Sequence, residues 1–479
     1  MKLPFKIDYI KILIVLSFCF SLIVTKYYLD NYDAFHVEAN GQMGSHKMIK
    51  TDSLRYLEHG ALISEDLKNG KNFFSTGKEH FTKYLPPRIA AAYYYFFDKN
   101  LFNNFDEKKI NLGIHLPYLV IQCLIYYLSL FFLYFIISKK IQKNICLPIL
   151  MFLALEPTIF QYHGTFWSES IFFSLQIIVF ALILKDKFKF YDFLVIGFAL
   201  SLLSLQRQTA YFFIIPLTIY FLVNLKKNEY HKLLLMFLTF MIVQSFVGYN
   251  NFKREGKFYI LTGDSKSAIF YNIGEKLIKE NNNFTTKEFR INEALVAKNW
   301  LEKNSIPYDE KKFEDVKKSL APYSRASNTI INSKDKVLFA NFYVKRTVDV
   351  LLENPWVTFK LIFKNTIHSL LLNPFHIYSD HNFTSGELYY VSDTHDKLVP
   401  PRIAYSLLIY LVCLMGFFKL VKEKKYKLLS LIIVSILYHL GMVSWHGNTR
   451  YTVPILIYMS FLFGYGCNNL LLLKDKINK

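Results

Sequence analysis

The sequence predicts an all-α polytopic membrane protein with about ten transmembrane helices. Three observations predict it: apolar blocks close to bilayer-spanning length, lysines gathered in the short gaps between them, and aromatic runs beside charged clusters. Of 479 residues, 52% are hydrophobic and 18% aromatic, alongside a net charge of +20. A water-facing surface rarely absorbs so much apolar material. Runs such as Tyr93-Tyr94-Tyr95-Phe96-Phe97 and Phe131-Phe132-Leu133-Tyr134-Phe135 make sense if hydrocarbon takes the apolar blocks and water takes the gaps.

Crossing hydrocarbon takes roughly 20 residues. Spans are expected near 9–28, 113–137, 144–161, 166–184, 193–206, 208–225, 233–249, 402–420, 428–445 and 452–473. The first block, Ile12 to Val24, follows a lysine-bearing start as a signal peptide does. No small-x-small cleavage site follows it, and Lys26-Tyr27-Tyr28 suits an uncleaved interfacial anchor. The blocks at 193–206 and 208–225 are short and parted only at Gln206 and Arg207. They fit either a tight helical hairpin or one broken element.

A charge of +20 raises nucleic acid as a partner first, but no helix-turn-helix, zinc-finger or single-strand-binding pattern is present. The lysines instead punctuate alternate short loops: Lys139, Lys140, Lys143; Lys185, Lys187, Lys189; Lys226, Lys227, Lys232; and Lys419, Lys422, Lys424, Lys425, Lys427. With Lys2, Lys6, Lys11 and Lys474, Lys476, Lys479 they define a cytoplasmic face that holds both termini of a cell-membrane protein. The opposite short loops carry no lysine, and all nine arginines fall on that opposite side. Two long segments, 29–112 and 250–401, then lie outside the cytoplasm. The expected organisation is a membrane module with its first outer loop (1–249), a mostly helical outer domain (250–401) and C-terminal membrane helices (402–479). Cys19, Cys123, Cys146, Cys413 and Cys467 lie in or beside apolar blocks, so none is placed for a disulfide in an aqueous loop.

Within the first outer segment, Pro86-Pro87 opens the stretch Ile89 to Phe97, too short to span and suited to an interfacial or re-entrant helix. Lys83-Tyr-Leu-Pro-Pro-Arg-Ile-Ala90 is echoed at Lys397-Leu-Val-Pro-Pro-Arg-Ile-Ala404, both reading as proline-started helices at the interface. In the second outer segment, Trp356 to Leu372 follows an Asn354-Pro355 break and is apolar enough to lie on the membrane surface.

The strongest chemical signal is Asp52-Ser53-Leu54-Arg55-Tyr56, followed by Lys83 and Pro86-Pro87. Here the chain resembles the GT-C superfamily of membrane glycosyltransferases that use polyprenyl-phosphate sugars, nearest its protein O-mannosyltransferase and lipid A aminoarabinose transferase branches. The resemblance continues at Glu169 in Phe166-Trp-Ser-Glu-Ser170, at Arg207 in Leu203-Ser-Leu-Gln-Arg-Gln208, at Asn251 to Phe258, and at Arg450-Tyr451-Thr-Val-Pro454. Ser53 departs from the acidic pair of the family pattern, and two residues separate Lys83 from the prolines. The resemblance implies a polyprenyl-phosphate-linked sugar donor, a glycan, lipid or protein acceptor, and transfer with inversion. It implies Asp52 and Glu169 as catalytic carboxylates, and Arg55, Tyr56, Lys83, Arg88, Arg207, Arg450 and Tyr451 as donor-binding residues.

The residue chemistry agrees. Attack by a hydroxyl on an anomeric carbon that bears phosphate needs a carboxylate base and cations on the leaving group. Guanidinium forks match phosphate oxygens and stay charged. Each assignment has a structural rival. Asp52 also suits a helix cap, Glu156 and Glu169 suit solvated interfacial acids, and Arg88 and Arg402 suit snorkelling. His163 and His446, beside Trp167 and Trp445, suit an interfacial belt. His376, Asp380, His381, Asp393, His395 and Asp396 carry metal-capable groups at no recognisable metal spacing. No cofactor is required by the sequence, and a divalent cation stays open. Two other functions share this layout. An envelope polysaccharide polymerase or ligase would lean on outer-loop Arg and His. A lipid or solute transporter would place charge at mid-bilayer, where these spans hold almost none.

Overall fold

A computed structural model describes residues 8–31, 35–37, 43–45, 51–74, 84–97, 116–166, 168–185, 187–261, 273–318, 329–372, 399–444 and 452–477. These are α-helical apart from one antiparallel strand pair, β1 (Phe35–Val37) and β2 (Met43–Ser45). The first helices are α1 (Tyr9–Asn31), α2 (Thr51–Lys68), α3 (Leu85–Phe96), α4 (Leu116–Ile137), α5 (Lys143–Leu155) and α6 (Pro157–Phe160). Then come α7 (Glu169–Ile183), α8 (Phe190–Gln206), a 3-10 turn (Gln208–Phe213), α9 (Ile214–Asn224) and α10 (His231–Glu255). A helical unit follows: α11 (Glu275–Asn282), α12 (Thr286–Lys303), α13 (Glu310–Lys318), α14 (Ser333–Glu353) and α15 (Pro355–Leu370). The chain closes with α16 (Val399–Lys422), α17 (Tyr426–Val443) and α18 (Val453–Ile477).

Among the described residues, five stretches are long and apolar enough to cross a membrane: Tyr9–Tyr27, Leu116–Ile137, Lys227–Arg254, Pro400–Lys422 and Val453–Leu472. This is the architecture of an all-α membrane protein. The expectation of ten spans is corrected, because the apolar helices Lys143–Leu155, Glu169–Ile183, Phe190–Gln206, Gln208–Asn224 and Tyr426–Met442 are shorter. The 13 residues of α5 reach only about 20 Å, against roughly 30 Å of hydrocarbon. Polar breaks shorten several of them: Glu156-Pro157 ends α5, Glu169 begins α7 and Arg207 separates α8 from α9.

The ambiguity at 193–225 resolves as a hairpin. Arg207 is extended (φ −146°, ψ 120°), the 3-10 turn follows, and α9 runs back along α8 so that Phe221 meets Phe193 with ring centroids 5.2 Å apart.

The bundle is apolar outside, and polar groups are buried within its largely apolar core. Leu16, Ile23, Phe135, Phe198, Ile242, Leu408 and Leu411 are exposed, whereas Gln122, Ser174, Gln176, Ser201, Gln244, His439 and Ser460 are buried. In hydrocarbon, helices gain little from hiding leucine, so association relies on close packing and interhelical hydrogen bonds. The closest packing joins α16 and α18. A Cβ at Gly416 would collide with the carbonyl of Leu462, and one at Gly466 with that of Val412.

Hydrogen bonds gather the lysine-rich turns at one end. Lys140 donates to the Leu184 carbonyl, and the Asn144 amide to Asn468 at 2.6 Å. Lys232 donates to the Phe188 carbonyl at 3.1 Å, and Lys425 to the Tyr465 hydroxyl at 3.0 Å. The opposite end is tied by Gln122 to the Thr165 carbonyl (2.8 Å), Tyr438 to that of Thr209 (2.7 Å) and Thr452 to that of Ser369 (2.7 Å).

The unit α11–α15 has a separate core built on Leu277, Phe289, Leu301, Phe313, Phe339 and Val350. A reciprocal Thr285/Glu288 capping box starts α12, and Arg346 of α14 donates to the buried Glu293 of α12 at 2.7 Å.

Candidate active site at the Glu169 and Arg207 end

Two short helices lie at this end. Pro86 and Pro87 sit in the first turn of α3, where their missing N–H groups cost nothing. Gly60 of α2 lets the two backbones touch, since a Cβ there would lie 2.6 Å from that of Ala90. Leu57, Ala90, Tyr93 and Tyr94 then pack against Tyr118 of α4 and Phe166. The same packing buries Tyr56 and carries the N-terminal turns of α2, which hold Asp52 and Arg55.

Phe166 lies three residues before Glu169, the first residue of α7, where the aligned peptide dipoles favour negative charge. Arg207, at the reversal between α8 and the 3-10 turn, donates from Nη1 to Glu169 Oε1 at 2.7 Å. The Arg207 side chain is 3% exposed and that of Glu169 0%. The Gln206 amide donates to the Ser168 carbonyl at 3.0 Å, which locks the two turns in register. The Arg207 guanidinium also stands 5.6 Å from the centre of the Phe172 ring. A carboxylate gripping one edge fixes the plane in which a guanidinium fork can meet another anion.

A second buried polar layer lies deeper in the bundle. Gln176 of α7 donates to the Pro454 carbonyl at 2.9 Å and contacts His439 of α17 at 3.2 Å. The Tyr458 hydroxyl of α18 is 3.4 Å from the same His439 nitrogen. Gln176 Oε1, Gln206 Oε1 and Ser435 Oγ are buried with no hydrogen-bond partner among the described residues. Polar groups are expensive inside a membrane bundle, which makes this layer a candidate functional site.

The structure thus joins Glu169 to Arg207 and packs the α2–α3 pair, with Tyr56 and Arg88, beside them. The side chains of Asp52 and Arg55 lie outside the described portions, as do residues Lys83, Arg450, Tyr451 and His446 and the cluster His376, Asp380, His381, Asp393, His395, Asp396. Arg88 is 3% exposed, and its guanidinium donates to the carbonyls of Tyr84 (2.9 Å) and Phe74 (3.4 Å) while covering the Tyr84 ring at 3.6 Å. It ties the α2–α3 connection. Arg402 does not snorkel: it donates to the carbonyls of Leu372 and Leu371 at 3.3 and 3.4 Å, closing the end of α15.

Two expectations are corrected. His163 is not part of an interfacial belt. It is 0% exposed, its Nδ1 is 3.0 Å from Ser170 Oγ, and its ring lies 4.0 Å from that of Tyr126. Neither acid is solvated. Glu156, 4% exposed, caps α6 by accepting from the Ile159 N–H at 2.9 Å and accepts from the Tyr405 hydroxyl at 2.6 Å. The layer of Gln176, His439 and Tyr458 was missed at the sequence level. Its only signal there is polar residues at 176 and 439 within apolar blocks. No group of three His, Cys, Asp or Glu side chains placed to hold a metal occurs among the described residues. Compared with known proteins, the chain matches no family model and no curated sequence.

Proposed function

We propose that this chain is a GT-C-type glycosyltransferase that moves a sugar from a polyprenyl-phosphate carrier to an acceptor on the extracytoplasmic side of the cell membrane. In this reading the lysine-rich end and both termini face the cytoplasm, and the end bearing Glu169 and Arg207 faces outward. The observation that carries the reading is the buried Glu169–Arg207 pair, 2.7 Å apart, beside the helix pair that bears Asp52, Tyr56 and Arg88. A cation held rigidly at the outer end of a membrane bundle is what a lipid-linked phosphate leaving group requires.

The acceptor hydroxyl oxygen attacks the anomeric carbon, and its proton passes to the Asp52 carboxylate. The carbon–oxygen bond to phosphate breaks, its electron pair leaving on the phosphate oxygen, and the anomeric configuration inverts. Arg207, oriented by Glu169, and Arg55, Arg88 and Arg450 receive the developing phosphate charge, with Tyr56, Lys83 and Tyr451 around the same donor. The test is Asp52→Asn in isolated membranes supplied with a radiolabelled polyprenyl-phosphate sugar. Transfer is lost while expression and topology persist; retained transfer removes Asp52 from the mechanism.

A further inference from the structure

Helix α15 has one buried face and one exposed apolar face. Leu361, Asn365 and Ser369, four residues apart, are buried against the protein. On the other side Trp356, Phe359, Phe363 and Ile367 are 63%, 57%, 57% and 51% exposed. Their spacing of three, four and four places them in one stripe. The stripe is ordered as a ladder: Trp356 and Phe359 stack with centroids 5.7 Å apart and planes 14° apart, Phe359 and Phe363 at 6.2 Å and 19°. The Lys360 ammonium stands 5.4 Å from the Trp356 ring, and Lys364 lies one turn further along the same flank. Leu352, at the end of α14, is 70% exposed and lies four residues before Trp356.

The other end of this helix is bolted to the mouths of two spans. The Leu372 N–H donates to Ser406 Oγ at 3.0 Å, the Tyr410 hydroxyl donates to the Leu370 carbonyl, and Arg402 closes the carbonyls of Leu371 and Leu372. All three partners lie in the first turns of the span Pro400–Lys422. Thr452, the residue before α18, donates to the Ser369 carbonyl at 2.7 Å. The C-terminal end of α15 therefore meets the first turns of α16, a span on which Ile403, Leu407 and Leu411 are exposed. At 16 residues, or about 24 Å, α15 is too short to span, and its exposed face joins aromatics to flanking lysines as helices in the bilayer interface do.

We propose that α15 lies in the plane of the membrane with the Trp356–Phe359–Phe363–Ile367 stripe embedded in the outer lipid interface. Lipid seats the helical unit there, and through Ser369 and Thr452 α15 braces the start of α18. The inference rests on the membrane architecture and on no sugar chemistry, so its failure would leave the proposed activity standing.

The test uses the full chain in phospholipid vesicles, with Trp167, Trp300 and Trp445 changed to phenylalanine so that Trp356 reports alone. Embedding predicts blue-shifted emission, loss of intensity with lipids brominated just below the headgroups, and shielding from aqueous iodide. Iodide quenching without bromine quenching would place the stripe in water and overturn the proposal. Strongest quenching by bromines at the chain ends would make α15 a buried span and overturn it equally. Should the triple variant not fold, the difference in quenching between the wild-type chain and Trp356→Phe reads the same quantity.

Discussion

Replacing Arg207 by methionine keeps an unbranched apolar stem but removes the guanidinium 2.7 Å from the carboxylate of Glu169, a group that is 0% exposed. Removing one member of a buried ion pair costs about 3–5 kcal/mol, because the remaining charge has lost its solvent and its partner. Glu169→Gln removes the other member and should cost a similar amount. With both changes in place neither charge is stranded, so Glu169→Gln/Arg207→Met should be more stable than the sum of the single losses by about 1–3 kcal/mol, the coupling usual for contacting residues. Thermal unfolding of detergent-solubilised protein across the four-member cycle measures this directly. A coupling of zero, or an unchanged midpoint for Arg207→Met, would refute the reasoning, since a pair with access to water has nothing to lose.

Gly416→Val should force α16 and α18 apart and lower thermal stability by about 1–3 kcal/mol or more through overpacking, whereas Gly441→Ala, where a Cβ meets nothing within 4 Å, should raise it by about 0.5–1 kcal/mol. Equal effects in a thermal-shift assay would contradict the close crossing. Tyr405→Phe strips Glu156 of a 2.6 Å hydrogen bond and should cost about 1–3 kcal/mol, measured the same way. In the helical unit, the Thr285 hydroxyl holds the Glu288 carboxyl below its ordinary value, and the Lys312 backbone N–H does the same for Asp309. Carboxyls depressed in the folded state contribute stability above their unfolded values and lose it as pH falls through the folded ones. Amide protection at the starts of α12 and α13 should accordingly decline only below the ordinary carboxylate range, as read by hydrogen exchange.

Much of this was legible from local pattern. The apolar blocks appear as helices at the expected positions. Pro86-Pro87 and Pro400-Pro401 both open helices, because proline at a helix start loses no hydrogen bond. Arg207 marks a reversal because a charge between two apolar blocks ends them both. What stayed hidden depends on distant partners. Glu156 and His163 sit in a short polar stretch that resembles a wetted turn, yet Tyr405 and Tyr126 from other helices enclose them. The meeting of Gln176, His439 and Tyr458 needs three helices at once, and one-dimensional hydropathy contains no such information. Span length failed for a related reason: apolar content continues past Glu156, while the helix turns there.

Sugar transfer is proposed at the end of the bundle that carries Glu169 and Arg207. Its most direct test is release of polyprenyl phosphate by purified protein in vesicles supplied with polyprenyl-phosphate-linked sugars and acceptor. Release is expected from the wild-type chain and is lost in both Asp52→Asn and Arg207→Lys, the latter because an ammonium cannot reproduce the fork fixed by Glu169. Release undiminished in both variants would contradict it.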